Sequence, residues 1–439
     1  MGKGLIVAAP SSGSGKTSVV LGLLRLLSRR GLRVASAKVG PDYIDPAFHA
    51  AASGRPCFNL DGWAMRPATL ARLAGRLAQD SELVVCEGVM GLFDGAFAAP
   101  GEPDGSTADL AALTGWPVVL VIDARGMAGS AAAVLAGFAR LRADIAVRGV
   151  IFNRVSGERH RAAIANACRA ACPEVHLLGF LPSDPGLEMP SRHLGLVQAC
   201  ERPDLAAFLD GASALMERHL DVDALAGLAQ PSRLAPAEAS PPVPPLGGRI
   251  AIAADSAFAF AYPALLEGWR AAGAELSFFS PLDDQVPDPA ADAVYLPGGY
   301  PELYAGRLAG NAQFLGGLRE AAGRGAALLG ECGGYMALGR VLVDADGVAH
   351  TMAGLLGLET SFARRRLHLG YRTARLRLGG ALGLAGDGFR GHEFHYATVL
   401  SEQGPPLFDI ADASGIPLGS CGLVEGRMAG SFIHLIDRA

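Results

Sequence analysis

Residues 5–30 constrain the chain most. An apolar run, Leu5–Ala9, leads into Pro10-Ser11-Ser12-Gly13-Ser14-Gly15-Lys16-Thr17, and an amphipathic helical pattern over Thr17–Arg30 follows. Strand, glycine-rich loop, Gly-Lys-Thr and helix, in that order, make a phosphate cradle. The glycines let backbone N–H groups converge on an anion, and the helix N-terminus adds partial positive charge. Lys16 can then reach the outer phosphates, and the Thr17 hydroxyl is placed to ligate Mg²⁺. Ser12, Gly13, Ser14, Gly15, Lys16 and Thr17 are therefore the expected ATP-binding residues. Pro10 stands where the first glycine of the pattern belongs, so the match rests on its strand-to-helix context.

The same alternation continues. Arg33–Lys38, Leu83–Glu87, Val118–Asp123, Val147–Asn153 and Val175–Leu181 read as buried strands, with amphipathic segments between several of them, at Pro67–Gln79, Ser130–Arg142 and Glu158–Ala171. Near-continuous apolar strands separated by helices imply a mostly parallel sheet covered on both faces. Residues 226–247 change character, with six prolines and few large apolar residues, and read as a partly extended linker. A second α/β pattern starts at Arg249, with strands over Arg249–Ala254, Glu275–Ser280, Ala293–Pro297 and Ala326–Glu331 and helices near Pro263–Ala272 and Ala312–Arg324. The expectation is α/β throughout: two doubly wound domains, 1–225 and 248–439, joined by the linker.

Composition excludes several classes. Half of the 439 residues are apolar and 18% charged, enough for large cores, and the net charge of -5 carries no nucleic-acid surface. The strongest basic cluster, Arg364-Arg365-Arg366, reads as a solvated turn or as a contact for an acidic substrate. No apolar run approaches the ~18–20 residues that span a bilayer, and no leader pattern opens the chain. Seven cysteines stand singly without a C-x-x-C pair, so neither a disulfide framework nor a zinc site is indicated, and a reducing cytoplasm fits.

Two acidic clusters follow strands in the first half: Lys38-Val39-Gly40-Pro41-Asp42-Tyr43-Ile44-Asp45-Pro46 and Glu87-Gly88-Val89-Met90-Gly91-Leu92-Phe93-Asp94-Gly95. Both fall at carboxyl ends of parallel strands, where open α/β sheets place their ligands. In the second half, Leu329-Gly330-Glu331-Cys332-Gly333-Gly334-Tyr335 reads as strand, sharp turn and helix, the thiol counterpart of a nucleophile elbow. A helix N-terminus behind Cys332 would lower its pKa toward the thiolate. Backbone N–H groups of Gly299, in Pro297-Gly298-Gly299-Tyr300, and of Gly333 are candidates for an oxyanion hole. The base should be a histidine, and His392, His395 and His434 are all open on these grounds.

These residues resemble a known family. Pro-Gly-Gly-Tyr-Pro-Glu-Leu-Tyr (297–304), Gly-Glu-Cys-Gly-Gly-Tyr-Met (330–336), Gly-His-Glu-Phe-His-Tyr (391–396) and Ser-Phe-Ile-His (431–434) look like the class I glutamine amidotransferase domain of the cobyrinic and cobyric acid amidating enzymes. The first half is similar to their P-loop, dethiobiotin-synthetase-like ATPase domain, and the 38–46 and 87–95 motifs look like the a,c-diamide synthase branch. The resemblance implies amidation of the a and c acetate carboxylates of a corrinoid, a small-molecule partner, with ATP and glutamine as co-substrates and Mg²⁺ as cofactor. It implies Cys332 as nucleophile and His434 as base, and Thr17, Asp45 and Glu87 as Mg²⁺ ligands. Lys38, Asp42, Tyr43 and Asp94 would lie near the substrate or the transferring phosphate, and Asn153 would read adenine. It leaves a homodimer open.

One departure stands out. Many class I amidotransferases carry an acid two residues after the catalytic histidine; here that place is Ile436, and Asp437 follows it. A Cys–His dyad is expected, with slow glutaminase turnover in the isolated C-terminal half. The alternatives are an amidoligase of the same layout acting on another polycarboxylate, such as a nickel sirohydrochlorin, and a P-loop switch ATPase. Partitioning-type switches carry an extra lysine within the loop, and residues 10–15 have none. Hydrogenobyrinic and cobyrinic acid share the same acetate arms and are not separated by sequence.

Overall fold

Strands such as Val34–Val39, buried at every position, can exist only inside a sheet with both faces covered. In the computed structural model seven strands form one parallel sheet: β1 (Lys3–Ala8), β2 (Val34–Val39), β3 (Cys57–Leu60), β4 (Leu83–Glu87), β5 (Val118–Asp123), β6 (Val147–Asn153) and β7 (His176–Phe180), in the order β3-β2-β4-β1-β5-β6-β7. The structure describes residues 2–98, 103–189, 191–192, 195–235, 237–238 and 240–439. These fall into two compact units, one running to residue 238 and one spanning 240–439, with 64–66 and 97–98 counted in the second.

In the first unit, helix α1 (Lys16–Arg29) buries Val19, Val20, Leu23, Leu24 and Leu27 at helical spacing. Each such side chain contributes about 1.5–3 kcal/mol relative to exposure. Helix α2 (Asp45–Ser53) and β3 are additions to the sequence reading. Pro46 sits at the first turn of α2, where its missing N–H costs nothing. Asp42 Oδ1 accepts from the N–H groups of Ile44 and Asp45, at 2.8 and 3.0 Å, and so opens that helix.

The stretch 226–247 is not a free linker from its first residue. Its first three residues finish the helix Val222–Leu228, whose Leu225 is buried, and Gln230 then exchanges backbone hydrogen bonds with Gly4 of β1. A run of Ala, Gly and Leu hides a helix when composition alone is read. Farther on, Val243 and Leu246 are buried, and the carbonyls of Val243 and Pro244 accept from Trp269 Nε1 in the second unit. Pro236 and Ala239 lie outside the described residues.

The second unit begins as the first does. Glu275–Phe279, Arg249–Ala253, Ala293–Leu296, Ala327–Glu331 and Met428–Ser431 are parallel neighbours in that order. The sheet then turns antiparallel through Pro417–Glu425, Pro406–Ala411, His368–Leu376, Gly388–His395 and Ile433–Arg438. It is a ten-stranded mixed sheet, parallel over its first five strands. A four-stranded sheet (Ala349–Thr351, Val341–Val343, Gly357–Ser361, Thr398–Gln403) packs beside it. The core gathers Phe258, Phe314, Leu328, Tyr335 and Met336. Among the described residues no helix is long and apolar enough to cross a membrane.

Candidate functional site

Sheet register assembles the first site. Lys38 of β2 lies beside Glu87 of β4, and Val7 of β1 flanks Glu87 on the other side, so three neighbouring strands end at one place. The phosphate loop leaves β1 there. Gly13 and Gly15 have φ of 77° and 93°, the left-handed region that glycine enters without strain. Asn153, at the end of β6, braces the loop: its Nδ2 donates to Ser14 O at 3.0 Å, while Arg154 donates to Gly13 O at 2.9 Å.

A charged network fills the space under the loop. Glu87 is fully buried; its Oε1 accepts from Thr17 Oγ1 at 2.6 Å and meets Lys38 Nζ at 3.0 Å, while Oε2 faces His49 Nε2 at 2.7 Å. Lys38 Nζ also meets Asp45 Oδ2 at 2.5 Å. Burial opposes the Lys38 charge, but Asp45 and Glu87 outweigh it and hold the ammonium well above its usual pKa. Burial likewise works against the Glu87 charge, and Lys38, His49 and Thr17 overcome it, so its carboxyl lies below the usual range. Asp45 moves up, through burial and its neighbour Asp42. Lys16 reaches the carbonyl of Met90 at 2.5 Å, and burial pulls it down to about 8.

The residues expected around a nucleotide thus converge. Thr17, Asp45 and Glu87 offer hard oxygen atoms with two carboxylates beside the phosphate loop, a donor set that suits Mg²⁺. Lys38 stands between those carboxylates, buried, rather than projecting to a substrate. Asp42 caps α2, Tyr43 is buried, and Asp94 Oδ2 closes its own loop on Gly91 N at 2.9 Å. His49 was not singled out in the sequence; its place four residues after Asp45, on the same helical face, was the available signal.

Gly15→Ala tests the loop. A Cβ there would lie 2.3 Å from Asn153 Nδ2, and a left-handed alanine costs about 1–2 kcal/mol. ATP affinity measured by calorimetry should fall about tenfold or more, by that strain and the lost brace. Unchanged affinity would remove the loop from the nucleotide site.

The second site is built on strain. Cys332 has φ 48° and ψ −102°, between the strand Ala327–Glu331 and the helix Gly333–Leu338. Its flanking glycines are obligatory: a Cβ on Gly330 would lie 2.6 Å from Gly334 O, and one on Gly334 1.9 Å from Leu296 O. The backbones of Gly333 and Gly299 also meet closely, since a Cβ on Gly333 would stand 3.0 Å from Gly299 N. Gly298 separates thiol and imidazole: a Cβ on it would be 3.3 Å from Cys332 Cβ and 2.3 Å from His434 Cε1.

Of the three histidines, His434 is therefore the one beside Cys332. His392 is its cross-strand neighbour, and His395 stacks on Phe432 with ring centroids 3.9 Å apart. Asp437, fully buried, accepts from Arg66, a residue of the same unit, at 2.7, 2.9 and 3.0 Å. Burial pulls His434 down to about 3, with His392 and His395 adding to the effect, so the imidazole is neutral at rest. The expected lowering of the thiol pKa is reversed. Burial pushes Cys332 well above its usual value, and Glu302 adds to this, outweighing the short helix behind it.

His368, Glu393 and His395 offer ligand atoms within 4.8 Å of one another. However, Arg372 grips Glu393 Oε2 through two nitrogens, and the imidazoles of His368 and His395 are parallel within 1° at 4.6 Å. Their lone pairs run side by side rather than converge, beside a guanidinium, so this group is a poor cation site.

Comparison with known proteins gives each half of the chain a family match. Residues 5–197 match the CobQ/CobB/MinD/ParA nucleotide binding domain, and residues 249–438 match the CobB/CobQ-like glutamine amidotransferase domain. Hydrogenobyrinate a,c-diamide synthase of Brucella anthropi is 52% identical over 438 residues, 99% of this chain and 98% of its own. The enzymes so named from Rhodobacter capsulatus and Rhizobium meliloti are 53% and 51% identical, each over 99% of this chain and 98% and 99% of their own. Among solved structures, chloroplast FtsY from Physcomitrella patens matches 48% of this chain and 65% of its own at 17% identity and a TM-score of 0.32, too distant to carry an argument. With both domains matched and half of all residues identical along the full length, the chain belongs to the family of the hydrogenobyrinate a,c-diamide synthases, glutamine-dependent amide-forming ligases.

Proposed function

We propose that the protein converts the a and c acetate carboxylates of hydrogenobyrinic acid to amides, in cobalamin biosynthesis, using ATP and glutamine. One observation carries this reading: a single chain holds both a phosphate loop with convergent carboxylates and a strained thiol sharing a glycine with a neutral imidazole. The relatives carry hydrogenobyrinate in their names, which supports the cobalt-free acid as the substrate here.

A carboxylate is a poor electrophile, so activation comes first. A substrate carboxylate oxygen attacks the γ-phosphorus of ATP, ADP leaves, and an acyl phosphate forms. Lys16 and the loop N–H groups of 12–17 hold the phosphates and stabilise the charge that builds on them. Thr17, Asp45 and Glu87 would hold Mg²⁺, which neutralises phosphate charge when bound. Asp42, Tyr43 and Asp94 border the acceptor, with Lys38 fixing the two carboxylates from behind, and Asn153 lies on the adenine side.

In the other unit, Cys332 Sγ attacks the glutamine carboxamide as its proton passes to His434. The N–H groups of Gly299 and Gly333 receive the oxyanion. The imidazolium returns the proton to the departing ammonia, and water hydrolyses the glutamyl thioester to glutamate. Ammonia then attacks the acyl phosphate and expels phosphate. Each cycle makes one amide, and two cycles give the diamide. ATP and glutamine supply place the reaction in the cytoplasm.

The test is product mass after incubation with ATP, Mg²⁺, glutamine and either hydrogenobyrinic or cobyrinic acid. Two carboxyl-to-amide conversions on the cobalt-free acid are expected. An unchanged hydrogenobyrinic acid beside an amidated cobyrinic acid would reassign the substrate; no amidation of either would sink the reading.

A further inference from the structure

Glu331 directly precedes Cys332, and the mechanism above gives it no task. Its side chain is buried inside the second unit, yet both carboxyl oxygens are used. Tyr295 OH donates to Oε2 at 2.7 Å, and the backbone N–H of Leu435 donates to Oε1 at 3.1 Å. Leu435 is the residue after His434.

The position of that contact matters. The strand Ile433–Arg438 carries the imidazole and pairs with Gly388–His395, at the opposite end of the antiparallel half from Ala327–Glu331, whose last residue directly precedes the thiol. The two strands share no ladder, and the Glu331 carboxyl spans the gap between them. Tyr295, on the neighbouring strand Ala293–Leu296, fixes the other oxygen, and its ring packs edge-on against Trp269 at 5.2 Å. Ile436 stands two residues after His434, and the Asp437 carboxylate is committed to Arg66.

A carboxyl is an expensive group to bury for packing alone. Burial pushes Glu331 up to about 7, and an apolar side chain of similar shape would fill the space without that penalty. What an apolar side chain cannot do is accept the Leu435 N–H. We infer that Glu331 is a positioning residue for glutamine hydrolysis: its carboxyl holds the backbone beside His434 so that the imidazole stays within reach of the Cys332 thiol. Tyr295 is the clamp that keeps the carboxyl aimed.

This inference rests on Cys332 and His434 being nucleophile and base. It is tested in the full-length enzyme with Glu331→Met, which keeps the length but loses the acceptor, and Glu331→Gln, whose amide oxygen can still accept from Leu435. Glu331→Met should lower kcat with glutamine by about 10²-fold, the scale of a misplaced catalytic group, with KM for glutamine unchanged. Glu331→Gln should restore kcat close to that of the parent. Amidation driven by ammonium should be the same in all three.

A parent-like kcat in Glu331→Met would overturn the inference, as would a Glu331→Gln variant as slow as Glu331→Met. Should Glu331→Met fail to fold, as a thermal melt would tell, Tyr295→Phe decides: a fall in kcat at constant KM supports the clamp, and no fall sinks it. Cys332→Ala runs alongside. Glutamine-driven turnover surviving in that variant would overturn the nucleophile itself, a failure distinct from that of Glu331.

Discussion

Cys332→Ala is expected to abolish amidation driven by glutamine while leaving amidation driven by ammonium at the parent rate. The thiol stands at φ 48° on a turn whose neighbours admit no side chains, a strained geometry that persists because it presents Sγ. Burial holds both reacting groups neutral at rest, the thiol above its usual pKa and the imidazole at about 3. The resting site is therefore a poor nucleophile, and attack depends on the substrate drawing the proton across at the moment of reaction. Alanine at 332 removes the only atom that can form the thioester, so the fall in glutamine-driven kcat should be about 10⁴-fold or more. The substitution takes away one buried atom and should leave the fold intact.

Ammonium enters after that step and should restore the reaction, measured as macrocycle mass with each nitrogen donor. Loss of both activities would mean that Cys332 holds the fold rather than the chemistry. Retention of both would place glutamine hydrolysis elsewhere.

The parts of this arrangement legible in the sequence were those with local signatures. The phosphate loop is contiguous, and its glycines, Lys16 and Thr17 could be named because a strand and a helix bracket them. The elbow was legible for the same reason. What sequence could not supply was register. Nothing in the linear order says that Lys38 would lie between Asp45 and Glu87, because that follows from β2 and β4 being neighbours while β3 is at the edge. His49 and Glu331 were missed because their partners are distant: Glu331 meets Leu435 only after the chain has laid down the whole antiparallel half of the sheet. Those later strands were themselves not legible. Pro417–Glu425 and Gly388–His395 carry glycines and mixed polarity, and the clean apolar alternation that marks a half-buried strand is absent from them. The sign of the Cys332 shift was misjudged because a helix N-terminus is visible in sequence and complete burial is not.

Glu87→Gln should disable both donors at once. Glu87 receives Thr17 and Lys38 on one oxygen and His49 on the other, all within 3.0 Å. Glutamine keeps the shape but removes the charge, and its amide group must face either the Thr17–Lys38 side or His49. Lys38 then keeps Asp45 as its contacting counter-charge, with Asp42 adding to it, in a site where the Lys38 side chain is 4% exposed. Removing one partner from a buried ion pair costs about 3–5 kcal/mol, so the first unit should melt at a clearly lower temperature.

Amidation should fall about 10²–10³-fold with glutamine and with ammonium alike, because the carboxylate proposed to organise phosphate charge is gone. Labelling of Cys332 by 6-diazo-5-oxo-norleucine should be unaffected. The pH dependence of stability supplies an independent sign. Glu87 is held below its ordinary pKa of 4.5, so its contribution is present above that value and is lost as pH falls toward the folded-state value. Lys38 is held above 10.5, so its contribution persists through the neutral range and disappears only in strong alkali. The variant should therefore lose less stability than the parent on acidification below 4.5. An acid profile identical in parent and variant would show that the Glu87 charge does not hold the network together, and the loss of amidation would then need another cause.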